Sequence, residues 1–372
     1  MKFIDLKKQY DIIKDDLNHD VLNTLDKGDF ILGQKVFELE DKLANYVGVK
    51  HCISCANGTD ALLIPLMAKN IGPGDAVFTT NFSYFATTEV ISLVGATPVF
   101  IDIDSKTFNI NADLLEEQIK NTLKCNILKP KAIIAVDIFG QLANYNKIEK
   151  IAKKYNLFLI EDAAQSFGAY YKDKKSCSFG DVASTSFFPA KPLGCYGDGG
   201  AIFTNDKKLA DLFRSIRVHG QGIDKYDNVR IGLNSRLDTI QANVLLNKLK
   251  IFDKEIVLRN KVSKYYFKNL SDFLSAPLIE ESNTSVWAQY SLLTESANIR
   301  SKLINHLKKD GIPTAIYYKK LFSELEIYKK LDNMPSPIAK GISSRIFSIP
   351  MHPYLTENDL EKITNSINSF FK

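Results

Sequence analysis

A lysine in a loop rich in proline and glycine is the residue of this chain best suited to covalent chemistry. Lys191 follows an apolar run, and residues 186–200 around it contain two prolines and four glycines. A lysine amine that is removed from water loses its proton more easily, and the neutral amine forms Schiff bases with carbonyl compounds. An isolated loop lysine is usually a solvated cation. The interpretation of Lys191 therefore depends on which other reactive residues the fold brings near it.

Two adjacent carboxylates end a second apolar run, Leu159-Ile160-Glu161-Asp162. Side chains alternate along a strand, so Glu161 and Asp162 face opposite sides of a sheet. One of them is therefore held at the strand end, where it can meet a cationic ring nitrogen or a metal. A helix cap or a surface acid is the alternative for this pair.

A glycine-led turn, Asn57-Gly58-Thr59-Asp60, joins a predicted strand to a predicted helix. Glycine lets the backbone approach a ligand closely, and a helix start offers unpaired N–H groups to an anion. The turn is not a P-loop, because no Gly-Lys-Ser/Thr follows it. Together the three segments supply an amine, a carboxylate and a phosphate cradle, which are the requirements of pyridoxal phosphate (PLP).

The elements that must position these segments alternate between strand and helix patterns from residue 50 to residue 220. Strands are predicted over residues 51–56, 76–80, 97–101, 132–137, 158–161, 184–188 and 201–204, and helices over residues 58–68, 83–94, 147–154 and 207–218. This alternation predicts an α/β fold with a mostly parallel sheet between helices, which binds its ligands beyond the carboxyl ends of the strands.

The pattern changes toward the C-terminus. Residues 236–270 are predicted to be helical almost throughout, and shorter elements follow over residues 285–293, 298–309, 315–318, 345–349 and 356–371. We expect a large PLP-binding domain over residues 1–250 and a small α+β domain over residues 251–372. Residues 1–30 are expected to be a helical segment that packs on the small domain.

Composition and charge exclude several classes of protein. The chain has 372 residues, 45% of them hydrophobic, and its 48 basic and 43 acidic residues are interspersed, so we expect neither disorder nor a nucleic-acid-binding stripe. We expect no transmembrane helix and no signal peptide. Five cysteines in a chain of this size favour reduced thiols in the cytoplasm. Cys52 and Cys55 form a C-x-x-C without a second pair, and we expect no metal site.

These residues resemble the DegT/StrS family of PLP-dependent nucleotide-sugar aminotransferases. The resemblance covers nearly the whole chain, from Phe3-Ile4-Asp5-Leu6 to Ser348-Ile349-Pro350-Met351-His352, and its most specific segments are residues 57–62, 161–168, 186–200 and 234–238. It implies the fold-type-I (aspartate aminotransferase-like) architecture. It also implies a homodimer with shared active sites, and PLP with pyridoxamine phosphate as its intermediate form.

The resemblance also implies roles for individual residues. Lys191 would attach the cofactor and shuttle a proton, and Asp162 would pair with the pyridine nitrogen. Further cofactor contacts are implied for Gln165 and Tyr84 at the ring, for Gly58, Thr59 and Ser186 at the phosphate, and for Asn234 reaching the phosphate of the neighbouring subunit. Substrate contacts are implied for Arg236, His219 and Tyr317. The alternatives are core packing for Tyr84, an ion pair with Asp238 or another acid for Arg236 and a solvated loop for His219; Glu161 is expected to be structural.

The implied reaction moves an amino group from L-glutamate to a UDP-linked keto-sugar for cell-surface polysaccharide or lipid A synthesis. The motifs look most like the group that aminates C3 of UDP-2-acetamido-3-keto-hexoses or -hexuronates, and C4 of a UDP-4-keto-6-deoxy-sugar is the alternative. Tyr317 stands where the family commonly has a histidine, and Asp137 also departs from the pattern. A non-catalytic PLP or nucleotide-sugar regulator is the alternative of another class. The sequence contains no Gly-x-Gly-x-x-Gly motif after an early strand, which argues against a dehydrogenase that binds a dinucleotide.

Overall fold

The structure is a computed structural model that describes residues 1–224, 226–270, 272–281, 283–331 and 334–372. Its strands are β1 (His51–Cys55), β2 (Asp75–Thr80), β3 (Thr97–Ile101), β4 (Lys129–Val136), β5 (Phe158–Asp162), β6 (Tyr170–Tyr171), β7 (Lys174–Lys175), β8 (Val182–Ser186), β9 (Gly200–Thr204), β10 (Asn283–Thr284), β11 (Tyr290–Leu293) and β12 (Ile346–Ile349). Its helices are α1 (Leu6–Lys27), α2 (Gln34–Val47), α3 (Gly58–Ala68), α4 (Ala86–Leu93), α5 (Ala112–Cys125), α6 (Tyr145–Tyr155), α7 (Lys207–Arg217), α8 (Thr239–Asn269), α9 (Ala297–Lys309), α10 (Pro337–Arg345) and α11 (Glu357–Phe370).

A seven-stranded sheet forms the centre of the fold, in the order β1-β9-β8-β5-β4-β2-β3. The pairings of β3, β2, β4, β5 and β8 are parallel, and β9 runs antiparallel to both of its neighbours. The predicted strands of this region each overlap an observed one. The prediction of an α/β fold with a mostly parallel sheet is confirmed.

Helices cover both faces of this sheet, as the alternation along β5 illustrates. Phe158 and Ile160 pack in a core with residues of α3 and α7, whereas Leu159 packs in a core with residues of α5 and α6. The same alternation continues to the end of β5 and sends Glu161 and Asp162 to opposite faces. The order of layers therefore follows from the two-residue period of the strands.

The C-terminal part of the chain builds a further core around the antiparallel pair β11 and β12. The long helix α8 links the cores, because Phe252 packs beside the central sheet and Tyr266 packs against β11. The boundary at residue 250 stays a prediction. At the start of the chain, Lys8 Nζ donates to Tyr354 O in the C-terminal part, while Ile13 packs in the core beside the central sheet.

Some of the predicted elements are shorter in the structure, and one is wrong. The strand predicted over residues 285–293 begins only at Tyr290. Residues 315–318 form no strand: Ala315 makes a single bridge with Ser348, and the aromatic side chains that follow pack against a neighbouring core instead. Helix α11 is confirmed, and Thr356 caps it in a capping box with Asp359.

The described residues contain free cysteines, no metal-binding cluster and no membrane-spanning helix. Cys52 and Cys55 lie buried on β1, and all five cysteines are free thiols. In the described ranges no cluster of histidine, cysteine and acidic side chains could hold a metal ion. Across those same residues, none of the helices has the length and apolarity needed to cross a membrane.

Candidate active site

Lys191 lies in the loop that follows β8. The loop is held by its own backbone: Lys191 N donates to Phe188 O at 2.9 Å, and Cys195 N donates to Phe187 O at 2.8 Å. The side chain of Lys191 is removed from water, which lowers the pKa of its amine, and the nearby Asp162 opposes that shift. The amine therefore reaches its neutral, nucleophilic form more easily than that of an exposed lysine.

Asp162 is the last residue of β5 and faces the same cleft as Lys191. Thr87 Oγ1 donates to Asp162 Oδ2 at 2.8 Å, and Ala164 N donates to Oδ1 at 3.2 Å. Burial raises the pKa of Asp162, while these two donors and Lys191 lower it. The carboxylate is thus fixed in orientation at the end of a strand and can face a cationic ring nitrogen.

The start of α3 forms a cradle with the end of β8. Asn57 Oδ1 caps the helix by accepting from Asp60 N at 2.8 Å. A Cβ atom on Gly58 would lie 2.6 Å from Ser186 Cβ, and one on Gly200 would lie 2.4 Å from Asn57 O. Glycine at both positions therefore allows three backbone segments to meet closely at the start of α3, where the first N–H groups of a helix can bind a phosphate.

A cleft of about 320 Å³ joins these groups. It is lined by all of the predicted site residues except Asn234, Arg236 and His219, namely Gly58, Thr59, Tyr84, Asp162, Gln165, Ser186, Lys191 and Tyr317. Tyr84 is 60% exposed, so the core-packing alternative for this residue is wrong. The residues present fit PLP, because an amine, an oriented carboxylate and an anion cradle line one cleft.

The three remaining residues lie elsewhere on the chain. Asn234 and His219 are exposed, and Arg236 is half-buried with its Nε buried and without a hydrogen-bond partner among the described residues. In that same part of the structure, the arginines that form ion pairs are Arg214 and Arg217, so Arg236 is paired neither with Asp238 nor with another acid there. The segment that carries these residues exposes the apolar side chains of Ile223, Tyr226, Val229 and Ile231.

Several residues of the site were not predicted from the sequence. Thr87, three positions after Tyr84, is one of them, and Tyr318 lies in the segment predicted as a strand. Gln165 Nε2 donates to Tyr318 Oη at 3.1 Å, and Gln165 Oε1 accepts from Phe139 N at 2.8 Å. Gln289, Asp198, Phe3 and Ile4 also line the cleft. Their contribution depends on contacts between distant segments, so residue type alone gave no signal.

Comparison with known proteins connects this geometry with an activity. Residues 11–368 match the profile of the DegT/DnrJ/EryC1/StrS aminotransferase family. The UDP-2-acetamido-2-deoxy-3-oxo-D-glucuronate aminotransferase of Pseudomonas aeruginosa is 46% identical over 370 residues, which cover 99% of this chain and 100% of that protein. The crystal structure of a DegT DnrJ EryC1 StrS aminotransferase from Brucella abortus is 50% identical with a TM-score of 0.97, covering 100% of this chain and 99% of that one.

Two further relatives bear on the substrate and on the regulator alternative. The UDP-N-acetyl-3-dehydro-alpha-D-glucosamine 3-aminotransferase of Acidithiobacillus ferrooxidans is 33% identical, with 98% of this chain and 96% of that protein covered. A pleiotropic regulatory protein of Geobacillus stearothermophilus is 38% identical, with 99% of this chain and 98% of that protein covered.

Proposed function

Because this chain belongs to the DegT/DnrJ/EryC1/StrS aminotransferase family, we propose that it transfers the amino group of L-glutamate to C3 of a UDP-linked 2-acetamido-3-keto-hexose or -hexuronate. It is a sugar aminotransferase that acts on a UDP-keto-sugar and uses PLP. The observation that carries the proposal is the meeting of Lys191, Asp162 and the first turn of α3 in one cleft.

Each residue of the cleft has a separate role in the proposed transamination. Bound PLP supplies a ring that takes up the electrons released when a substrate C–H bond breaks. Lys191 would attach the cofactor, and its Nζ, when free, would serve as the base that moves a proton between two carbons. A general base must be neutral for this step, and the pKa of Lys191 is shifted in that direction by burial. Asp162 keeps the ring nitrogen protonated.

The other cofactor contacts follow from position. The N–H groups of Gly58 and Thr59 and the hydroxyl of Ser186 hold the phosphate at the start of α3. Tyr84, which lines the cleft and is exposed, would stack on the ring. Gln165, whose amide is held by Phe139 N and Tyr318 Oη, would contact the face or the hydroxyl of the ring.

A second copy of the chain completes the site in this proposal. Asn234, Arg236 and His219 lie outside the cleft of their own chain, and the segment between them carries exposed apolar side chains. Docking of this segment onto a partner would cover that apolar surface and bring Asn234 to the partner's phosphate and Arg236 to an anionic group of the sugar. Tyr317 lines the part of the cleft left for the sugar.

The C3 ketone is supported by the two relatives named for 3-oxo and 3-dehydro sugars. The product would serve cell-surface polysaccharide or lipid A synthesis. Five free cysteines, four of them buried, agree with a cytoplasmic enzyme.

The decisive experiment is an absorbance titration of the yellow PLP form in the amino-donating direction. UDP-linked 3-amino and 4-amino sugars are added separately, each with and without a C6 carboxylate, and L-glutamate serves as the donor control. Loss of the yellow band with the 3-amino sugar and with glutamate is the expected result. Borohydride reduction followed by mass spectrometry should place the cofactor on Lys191, and Lys191→Ala should abolish both signals.

Each other result has a defined meaning. Bleaching by the 4-amino sugar alone would show that the ketone of the substrate lies at C4 rather than at C3. Bleaching by sugars but not by glutamate would require another donor. A protein that binds PLP but is bleached by no amine would be the non-catalytic regulator, and this would overturn the proposal.

A further inference from the structure

Two buried carboxyl groups meet on the side of β5 that faces away from the cleft. Asp137 follows β4, Glu161 lies in β5, and both are fully buried. The parallel pairing of β4 and β5 sets Ala135 beside Glu161, and Asp137, two residues after Ala135, lies on the same face, so the two carboxyl groups are neighbours. Two ionised carboxylates that are buried side by side repel each other, so one of them keeps its proton. In the described part of the chain neither group has an ion-pair partner; the buried ion pair there joins Arg217 to Glu40.

Asp137 is the better acceptor of the two. Its Oδ1 accepts from Ala143 N at 2.9 Å and from Tyr145 Oη at 3.0 Å, and its Oδ2 accepts from Ser166 Oγ at 2.7 Å. Three donors, with the proton of Glu161 as a fourth, stabilise a negative charge on Asp137. Burial raises the pKa of Asp137 and these donors lower it, so Asp137 gives up its proton before Glu161 does and carries the charge of the pair.

Glu161 carries the proton in this arrangement. Its two oxygens accept from Cys177 N at 2.7 Å and from Phe179 N at 2.9 Å. Burial raises the pKa of Glu161 well above its ordinary value, and the charge of Asp137 adds to this effect. Tyr145 and Cys177, the other titratable groups against the pair, have raised pKa values and stay neutral.

The pair is tied to the residues that face the cofactor. Asp137 N donates to Asp162 O at 3.1 Å, and Phe139 N donates to Gln165 Oε1 at 2.8 Å. Ser166, the neighbour of Gln165, donates to the carboxylate of Asp137. Three hydrogen bonds thus join the segment after β4 to residues 162–166, which comprise the end of β5 and the start of the loop that follows it.

We propose that Asp137 and Glu161 share one proton and that this pair is a positioning element that holds Asp162 and Gln165 against the cofactor ring. The inference rests on the proposed roles of Asp162 and Gln165. Neither Asp137 nor Glu161 touches the cleft, so both are positioning residues rather than catalytic ones.

The shared proton is tested on the cofactor-free protein by infrared spectroscopy. At neutral pH the wild type should show the C=O stretch of a buried protonated carboxylic acid. Glu161→Gln should abolish that band, because Glu161 carries the proton and the donors to Asp137 keep the remaining carboxylate ionised. Asp137→Asn should shift the band, because the acid of Glu161 stays buried but loses its charged acceptor. Asp162→Asn should keep the band unchanged. A wild type without the band, a band that survives Glu161→Gln, or a band that Asp137→Asn does not move would overturn the shared proton.

The positioning role is tested by PLP binding and by the circular dichroism of bound PLP. Asp137→Ala leaves buried donors unpaired, so the dissociation constant for PLP should rise by about tenfold or more, with a weakened dichroic signal. Asp137→Asn keeps a side chain that can form hydrogen bonds at this position. Its PLP affinity and its dichroic signal should therefore be close to those of the wild type.

Leu303→Ala, in the distant C-terminal core, is the control for general destabilisation and should leave both readouts unchanged. Wild-type affinity and dichroism in Asp137→Ala would overturn positioning while the transamination proposal stands. A wild type that bound no PLP would instead refute the proposed function.

Discussion

The hydrogen bond from Thr87 to Asp162 sets the charge of the carboxylate that we assign to the ring nitrogen. Thr87 Oγ1 lies 2.8 Å from Asp162 Oδ2, closer than the other donor, Ala164 N, which lies 3.2 Å from Oδ1. Thr87→Val keeps the shape of this buried side chain and removes its hydroxyl. Because the hydroxyl lowers the pKa of Asp162 against the effect of burial, the substitution raises that pKa further.

The size of the effect follows from the energy of a hydrogen bond to a charged group. Such a bond contributes about 1.5–3 kcal/mol, which corresponds to about one pH unit or more. Only the ionised carboxylate holds a protonated ring, so PLP affinity falls as the pH drops through the pKa of Asp162. The acid limb of PLP binding should therefore move to higher pH by about one unit or more in Thr87→Val.

Protein stability gives an independent readout of the same charge. A raised pKa in the folded state means that folding favours the protonated acid, so an ionised Asp162 costs stability at neutral and alkaline pH. Thr87→Val should lower the free energy of unfolding most at pH 8, and the loss should fade in acid as Asp162 takes up its proton. Urea unfolding at several pH values measures this trend.

The neighbouring threonine provides the matched control. Thr88 is also fully buried, but its Oγ1 has no hydrogen-bond partner among the described residues. Thr88→Val should therefore change neither the acid limb of PLP binding nor the pH dependence of stability. Equal shifts in both variants, or no shift in Thr87→Val, would refute the assignment of Thr87 as the group that controls Asp162.

Three further predictions concern the cradle, the buried ion pair and acid stability. Gly58→Ala should weaken PLP binding by about tenfold or more, because the new methyl overlaps the serine that faces it; Gly341→Ala, in open space on α10, should not. Arg217→Met should lower the free energy of unfolding by about 3–5 kcal/mol in urea, because it leaves Glu40 buried without its partner. Burial lowers the pKa of His352 to about 4, so stability should fall as the pH drops from 6.5 toward 4, and His352→Gln should flatten that fall.

The sequence predicted those features that depend on neighbouring residues. The alternation of β5 correctly separated Asp162, in the cleft, from Glu161, on the opposite face. The capping box of α11 needs only Thr356 and Asp359, three positions apart. In both cases the spacing along the chain fixes the distance in space, so a local pattern suffices.

Features that depend on distant segments could not be predicted in this way. Residues 315–318 have strand-forming side chains, but Tyr318 packs edge-on against Phe82 and meets Gln165 at the cleft. Asp137 is a departure from the family pattern whose consequence the sequence did not give. Its partner Glu161 lies 24 positions away and becomes a neighbour only because β4 and β5 pair in parallel.

Lys191 and Asp162 place opposite demands on each other. A catalytic amine must give up its proton near neutral pH, and a carboxylate must stay ionised beside it. A negative charge stabilises a protonated lysine, and Asp162 raises the pKa of Lys191 against the effect of burial. Burial lowers the pKa of Lys191, while the hydrogen bonds from Thr87 and Ala164 lower the pKa of Asp162. The site therefore meets both demands through local contacts: it removes the lysine from water and supplies the carboxylate with donors.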